Sequence, residues 1–328
     1  MKKPISMIAG TGSAVPEKVL TNFDLEKIVD TSDEWIRART GMVTRRIVSD
    51  GELTSDLCTE AAERALSDAN VKPEEVDALI LATITGDVGF PATACFVQKN
   101  LGLVNASAYD IAAACSGFIY GLEIGDAMIA AGKAEKVLVI GGETLSRITD
   151  YSDRATCVLF GDAAGAALMV RAKNDRGILG TFTKSDGRLY NLLHMPGLGT
   201  KYPLTRETVD QRLHYIKMEG REVFKHAVTA MGDAAVKILE QTGLTGDQVD
   251  LLIPHQANLR IIDATARRVK IPSERVFVNV DKYGNTSAAS TPLALDEARR
   301  TGRLNENQVA VLVAFGAGFT WGSAAIRF

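Results

Sequence analysis

Cysteine is scarce in this chain: Cys58, Cys95, Cys115 and Cys157 are the four in 328 residues. So few, so widely scattered, exclude a disulfide scaffold, and no Cys-x-x-Cys or Cys/His cluster offers a zinc site. Histidine also numbers four, and aromatic residues make up only 6%. Neither sign of charge dominates. The 37 basic and 40 acidic residues leave a net charge of −3, which excludes a broadly nucleic-acid-binding surface and makes any basic patch local. Long apolar runs are lacking too. Ile5 to Ala9 is shorter than the roughly 7–15 apolar residues of a signal-peptide core. Asn307 to Ile326 reaches membrane-spanning length without a charge. Yet Gly316, Gly318, Gly322 and Ser323 interrupt it. Val309 to Phe315 reads as a buried strand, followed by a glycine turn and a second strand. The expectation is a cytoplasmic protein with no membrane and no nucleic-acid partner.

What is present is ordinary globular composition, 46% hydrophobic and 23% charged, which excludes intrinsic disorder. The length suits about two domains. The chain also repeats itself. Val76-Asp77-Ala78-Leu79-Ile80 resembles Val249-Asp250-Leu251-Leu252-Ile253 at an offset of 173, and the same offset sets Val137-Leu138-Val139-Ile140 against Ala310-Val311-Leu312-Val313. Each copy of the Val-Asp string follows an amphipathic helix, Leu53 to Asn70 in the first and about Met218 to Thr242 in the second. Runs of this kind suit strands buried on both faces. Repeated helix–strand units predict an α/β fold with parallel-rich sheets covered by helices. The expected division is 1–172 and 173–328, with a Gly/Pro-rich insertion over one face at 174–217. Gly117, Gly121 and Gly125 recur every four residues on a helix from Ser116 to Ala131. The offset maps them to Ser290, Ala294 and Ala298 on a second helix, from about Ser287 to Arg300. Glycines inside a helix cost about 1 kcal/mol each against alanine, so three in register imply close approach. The expectation is that these two helices pack on each other with their N-termini facing a common region.

Cys115 sits at the start of the first of these helices. Free N–H groups and a positive partial charge there favour thiolate. The competing reading is a buried structural cysteine, which is the reading for Cys58 and Cys95, on helices, and for Cys157, on an apolar strand. His255 follows the strand Leu251 to Pro254, and strand ends are where sites form in open α/β sheets. A packed histidine fits it as well, whereas His194, His214 and His226 carry no motif. Asn285 lies in Tyr283-Gly284-Asn285-Thr286-Ser287, which also reads as a turn and helix cap. The offset places it opposite residue 112, near the Cys115 end of the other half. Arg260, Arg267 and Arg268 share one helical face with residue 264, either solvated or receptive to an acidic or phosphate-bearing partner. Gly10-Thr11-Gly12 lacks the third glycine of a dinucleotide fingerprint, Gly132-Lys133 is misplaced for a phosphate loop, and no Gly-x-Ser-x-Gly elbow exists.

Together these motifs resemble the β-ketoacyl-acyl carrier protein synthase III family, the initiating condensing enzymes of bacterial type II fatty-acid synthesis. The resemblance rests on Thr31-Ser32-Asp33-Glu34-Trp35-Ile36, Asp110 to Gly117, His255-Gln256-Ala257-Asn258-Leu259-Arg260, Gly284 to Ser290, and Gly318-Phe319-Thr320-Trp321-Gly322-Ser323. It implies a thiolase-like fold of duplicated αβαβα halves around a buried central helix pair, and a homodimer. It implies that Cys115 is acylated by an acyl-CoA, with acetyl-CoA expected. His255 and Asn285 then hold the enolate formed as malonyl-acyl carrier protein loses CO₂. The backbone N–H groups of Cys115 and Ala317 form a second oxyanion hole. CoA is expected at Trp35, Arg39, Arg154, Gly220 and Asn258, with Phe224 and Lys225 near the tunnel mouth. Phe90 is expected to close the acyl pocket across the dimer. Acyl carrier protein is expected on Gln256, Ala257, Asn258, Leu259, Arg260, Lys225, Arg267 and Arg268. No metal or other cofactor is implied, since CoA and phosphopantetheine are substrate carriers. Two other readings remain open: a synthase-III-like enzyme of secondary metabolism and a Cys-His-Asn acyl-CoA thioesterase.

Overall fold

The structure is a computed structural model that describes residues 3–328; Met1 and Lys2 lie outside it. The first sheet is built from β1 (Ser6–Ala14), β2 (Ala78–Ala82), β3 (Ser107–Ile111), β4 (Lys136–Thr144) and β5 (Asp162–Arg171), in the order β1-β5-β4-β2-β3. The second is built from β6 (Gly177–Ser185), β7 (Leu251–Pro254), β8 (Val309–Gly316) and β9 (Thr320–Arg327), in the order β7-β8-β9-β6. The internal repeat is visible in the register. Ala78 lies opposite Val137 in the parallel pair β2–β4, and Leu251 lies opposite Ala310 in the parallel pair β7–β8, the same two positions moved by 173. Next to β7, where β3 stands in the first sheet, there is among the described residues only a single bridge from Leu252 to Val276.

Helices cover both sheets and separate them. Outside the first sheet lie α2 (Thr54–Ala69) and α3 (Thr93–Leu101); outside the second lies α5 (Gly220–Thr242), with α6 (Leu259–Arg268) packed on it and α1 (Asp33–Thr40) against α6. Between the sheets run α4 (Gly117–Ala130) and α7 (Ser290–Arg300). The result is five layers, αβαβα. The central strands β2 and β8 are buried along their whole length, because helices shield both faces. That is why they read as continuous apolar runs. Among the described residues, no helix is long and apolar enough to cross a membrane.

Three expectations need correction. The small-residue stripe of α4 does not face α7. A Cβ on Gly121 would stand 2.6 Å from Val139 and one on Gly125 2.7 Å from Met169, so the stripe lies on the first sheet. Only Gly117 comes near the other half, 3.6 Å from Ala288. The two central helices meet instead through their 3₁₀ lead-ins, Ala114–Ser116 and Ser287–Ala289. Second, residues 177–185 are a strand of the second sheet, so the irregular insertion starts only after Ser185. Third, Cys157 ends a short helix, Arg154–Cys157, and not a strand.

Candidate active site

The lead-ins put two unusual residues face to face. Ala114 has φ +44° and Ser287 has φ +49°, and they are related by the same 173-residue offset. Left-handed backbone costs a non-glycine residue roughly 1–2 kcal/mol, so each elbow is held by its surroundings. Thr320 Oγ1 donates to the Ala113 carbonyl (2.8 Å) and Ser116 Oγ donates to the Thr320 carbonyl (2.9 Å). Gly316 at the end of β8 packs directly on the Cys115 nitrogen. The turn from β7 is anchored in the same way, by His255 N–H donating to the Val313 carbonyl at 2.7 Å.

Cys115, His255 and Asn285, drawn from three distant segments, line one cavity of about 120 Å³ together with Gly220, Phe224, Ala257, Asn258 and Phe315. His255 is buried, and its Nδ1 has no partner. Burial pushes the imidazole down to about 3, so it stands neutral at physiological pH. Asn285 Oδ1 accepts from Ser287 N–H at 2.9 Å, which leaves the carboxamide NH₂ as its free end. The site therefore offers neutral donors and no cation beside the sulfur. Burial pushes the Cys115 thiol up to about 12, although the Ser287 hydroxyl and the cysteine's own N–H pull it partway back. The helix-terminal position in the sequence predicts a depressed thiol. Desolvation outweighs the helix terminus, because the sulfur lies beneath the surface with no cation near it.

A second cavity, about 370 Å³, opens on the other side of Cys115. Its lining is mostly apolar and includes Leu145, Ile148, Phe160, Met195, Ile216 and Ala317. Met195 and Ile216 come from the insertion, as does His194 on the wall. Ala317 does not have a positive φ, so alanine is tolerated there. Phe90 lines neither cavity; its side chain is 88% exposed.

The remaining candidates divide. Trp35, Arg39 and Arg154 converge: the Arg154 guanidinium lies 4.4 Å and that of Arg39 5.7 Å from the Trp35 ring centre, a cationic, aromatic shelf. Arg260 covers the Phe224 ring at 5.0 Å, at the cavity mouth. Arg267 and Arg268 are exposed on α6, the latter paired with Asp233 at 3.3 Å. Lys225 is paired with Glu222 at 2.7 Å, and Ala257 and Leu259 are half-buried. Asn258 caps α6 through Arg260 N–H and donates to the Arg39 carbonyl at 3.0 Å, so its side chain is already occupied. Gln256 is a correction. It is buried and makes five hydrogen bonds. It donates to the Pro254 and Phe277 carbonyls and to Ser290 Oγ, and it accepts from Asn279 and Val280 N–H. It offers no surface to a partner.

Family models place the chain. One described as 3-oxoacyl-[acyl-carrier-protein (ACP)] synthase III matches residues 109–187, and its C-terminal counterpart matches 239–328. A β-ketoacyl-[acyl-carrier-protein] synthase III of Caldanaerobacter subterraneus is 55% identical over 98% of this chain and 97% of its own. The chain belongs to the β-ketoacyl-acyl carrier protein synthase III family. A member from Xanthomonas campestris is 51% identical over 100% of this chain and 99% of its own. The crystal structure of the Aquifex aeolicus synthase III superposes with a TM-score of 0.92 at 49% identity, covering 98% of this chain and 100% of that one. The thiolase-like fold expected for the family is the fold observed.

Two features of this synthase III site escaped the sequence reading. Ser287, in the sequence only one residue of the Gly-Asn-Thr-Ser run, pulls the thiol partway down and holds Asn285 through its N–H. Glu143 stands near the end of an apolar strand, itself a signal. It is fully buried, accepts from Ser287, and is pushed up to about 7 by burial.

Proposed function

We propose that this chain condenses an acyl-CoA primer, acetyl-CoA foremost, with malonyl-acyl carrier protein and so initiates fatty-acid synthesis in the cytoplasm. The observation that carries the reading is the cavity shared by Cys115, His255 and Asn285. Cys115 attacks the thioester carbonyl and CoA leaves. A thiolate both accepts and releases an acyl group readily. The Cys115 and Ala317 N–H groups are the donors for that first oxyanion. Malonyl-acyl carrier protein follows. His255 and Asn285 donate to its thioester carbonyl as CO₂ departs, and two neutral donors suit a charge that develops only then. The carbanion attacks the acyl-Cys115 carbonyl and yields β-ketoacyl-acyl carrier protein. The larger apolar cavity takes the acyl chain. CoA and phosphopantetheine serve as substrate carriers and no metal or other cofactor takes part.

The Trp35, Arg39 and Arg154 shelf fits an adenine and phosphates. Arg260, Arg267 and Arg268 fit an acidic carrier protein. β3 leaves one edge of the first sheet unpaired, and the exposed Phe90 stands in the loop before α3. Both suit a homodimer in which Phe90 reaches the partner's acyl pocket. A Cys-His-Asn thioesterase is disfavoured because the Asn285 carbonyl is spent on Ser287 N–H and does not orient the imidazole. A place in secondary metabolism is the second reading. The priming β-ketosynthase of the R1128 polyketide pathway shares the fold at a TM-score of 0.91 with 33% identity, over 99% of this chain and 96% of its own. Mass spectrometry of Cys115 after incubation with a panel of acyl-CoAs, followed by malonyl-acyl carrier protein, tests the proposal. Acyl label on Cys115 that is chased into β-ketoacyl product supports it. Label on Cys58, Cys95 or Cys157, or release only as free acid, refutes it.

A further inference from the structure

Glu143 stands one residue from the end of β4 and is fully buried. One carboxyl oxygen accepts from Thr83 Oγ1 (3.2 Å), Ile84 N–H (3.1 Å) and Thr85 Oγ1; the other accepts from Ser287 Oγ (3.0 Å). Three hydroxyls and one amide hold it, and no cation is among them. Its titratable neighbours are thiols: Cys58 on α2, which also feels Asp87, and Cys115. A carboxyl kept buried without a counter-ion is costly, and such groups mark working sites. The Ser287 hydroxyl donates to Glu143 on one side; on the other it lines the larger cavity with Cys115 and pulls the thiol partway down. Ser287 is also held at positive φ, like Ala114 at the facing lead-in.

We propose that Glu143, acting through the Ser287 hydroxyl, takes up the proton that Cys115 gives up on acyl transfer. The inference rests on the condensing reaction proposed above. In the reactive form Glu143 is a carboxylate, and Ser287 donates to it. On attack, the thiol proton passes to Ser287 Oγ while the Ser287 hydroxyl proton passes to Glu143. The Cys115 sulfur–carbon bond forms and the carbon–sulfur bond to CoA breaks. The proton then returns along the same path to the departing CoA sulfur. CoA leaves as a thiol and Glu143 is again a carboxylate, so net charge within the core is unchanged at every stage. His255 is the other nearby base, but burial drives it down to about 3, against about 7 for Glu143. Glu143 is therefore the stronger proton acceptor. It is a positioning residue, since it acts on the sulfur through the Ser287 hydroxyl.

The test is single-turnover acylation of Cys115 by acetyl-CoA, followed by mass spectrometry from pH 5 to 10, in the full-length protein. The wild-type rate should rise with pH and level off as Glu143 ionises near 7. Ser287→Ala removes the bridge and leaves the other three donors to Glu143 in place. Glu143→Gln removes the acceptor but sets a new NH₂ group among those donors, so the serine variant keeps the test decisive if this one fails to fold. In each folded variant, acylation near neutral pH should fall by about 10²-fold, and the rise near pH 7 should vanish in favour of one in the thiol range. Decarboxylation of malonyl-acyl carrier protein should fall far less, because the Ser287 backbone still holds Asn285. A Ser287→Ala protein that acylates within about threefold of wild type with an unchanged pH profile overturns the proposal. So does an equal loss of both half-reactions, which marks a structural role. A wild-type protein that no acyl-CoA labels would instead overturn the condensing reading itself.

Discussion

Replacing Gly316 by alanine tests the geometry of the cysteine elbow directly. Gly316 has no positive φ, so alanine meets no backbone penalty there. What it meets is the elbow: a Cβ would stand 2.6 Å from the Cys115 nitrogen and 3.2 Å from Ala114 Cβ, where ordinary contact begins near 3.4 Å. The overlap with the nitrogen is thus about 0.8 Å, and a backbone atom cannot rotate away. Neither side yields easily, since β8 lies between β7 and β9 and the elbow is tied to Thr320. Overpacking of this kind costs roughly 1–3 kcal/mol. An unfolding entropy of about 2.1 cal/mol/K per residue makes that about 1–4 °C in the melting midpoint of a chain this long. The chemical effect should be larger. A displacement near 1 Å at a reacting group costs on the order of 10²-fold in rate, and here it falls on the sulfur and on a proposed oxyanion donor together. Calorimetry and single-turnover acylation by acetyl-CoA, run on the same preparation, check both numbers. An acylation rate within about twofold of wild type would refute the claim that this contact sets the elbow.

His255→Ala and Asn285→Ala should still accept acyl groups from CoA but lose decarboxylation of malonyl-acyl carrier protein by about 10²–10³-fold; retained decarboxylation with lost acylation would reverse the roles. Because burial holds His255 down to about 3 against about 6.5 when unfolded, the unfolded chain binds the extra proton between those values. Its contribution to stability is therefore intact above pH 6.5 and is lost as pH falls toward 3; urea titrations of wild type and His255→Asn should converge toward the acid end. Arg260→Glu should raise the KM for malonyl-acyl carrier protein, and added salt should do the same to wild type, with acylation by acetyl-CoA little changed; steady-state kinetics indifferent to both would leave α6 a solvated face. Gln256→Ala should lower the melting midpoint by several degrees through unpaired buried groups; a change in carrier-protein KM with stability intact would restore Gln256 to the docking surface.

The sequence by itself carried the repeat, the α/β class and the strands. A strand buried on both faces must be apolar along its whole length, so β2, β4, β7 and β8 announce themselves. It also carried Cys115, His255 and Asn285 as candidates, since each stands where an element ends. Tertiary structure decided the rest, because the deciding quantities depend on neighbours distant in sequence. The Gly117, Gly121 and Gly125 stripe showed that something approaches closely; only packing showed that it is the sheet below, at Val139 and Met169, and not the sister helix. A helix terminus argues for a reactive thiol, yet burial by residues from both halves reversed the direction. Gln256 lies beside a surface helix in sequence and is buried in space, because the strand end before α6 turns inward. Glu143 and Ser287 are 144 residues apart, and only the meeting of the two lead-ins makes them neighbours. Local pattern reports which face of an element is apolar; desolvation and hydrogen bonding are set by whatever the rest of the chain brings to that face.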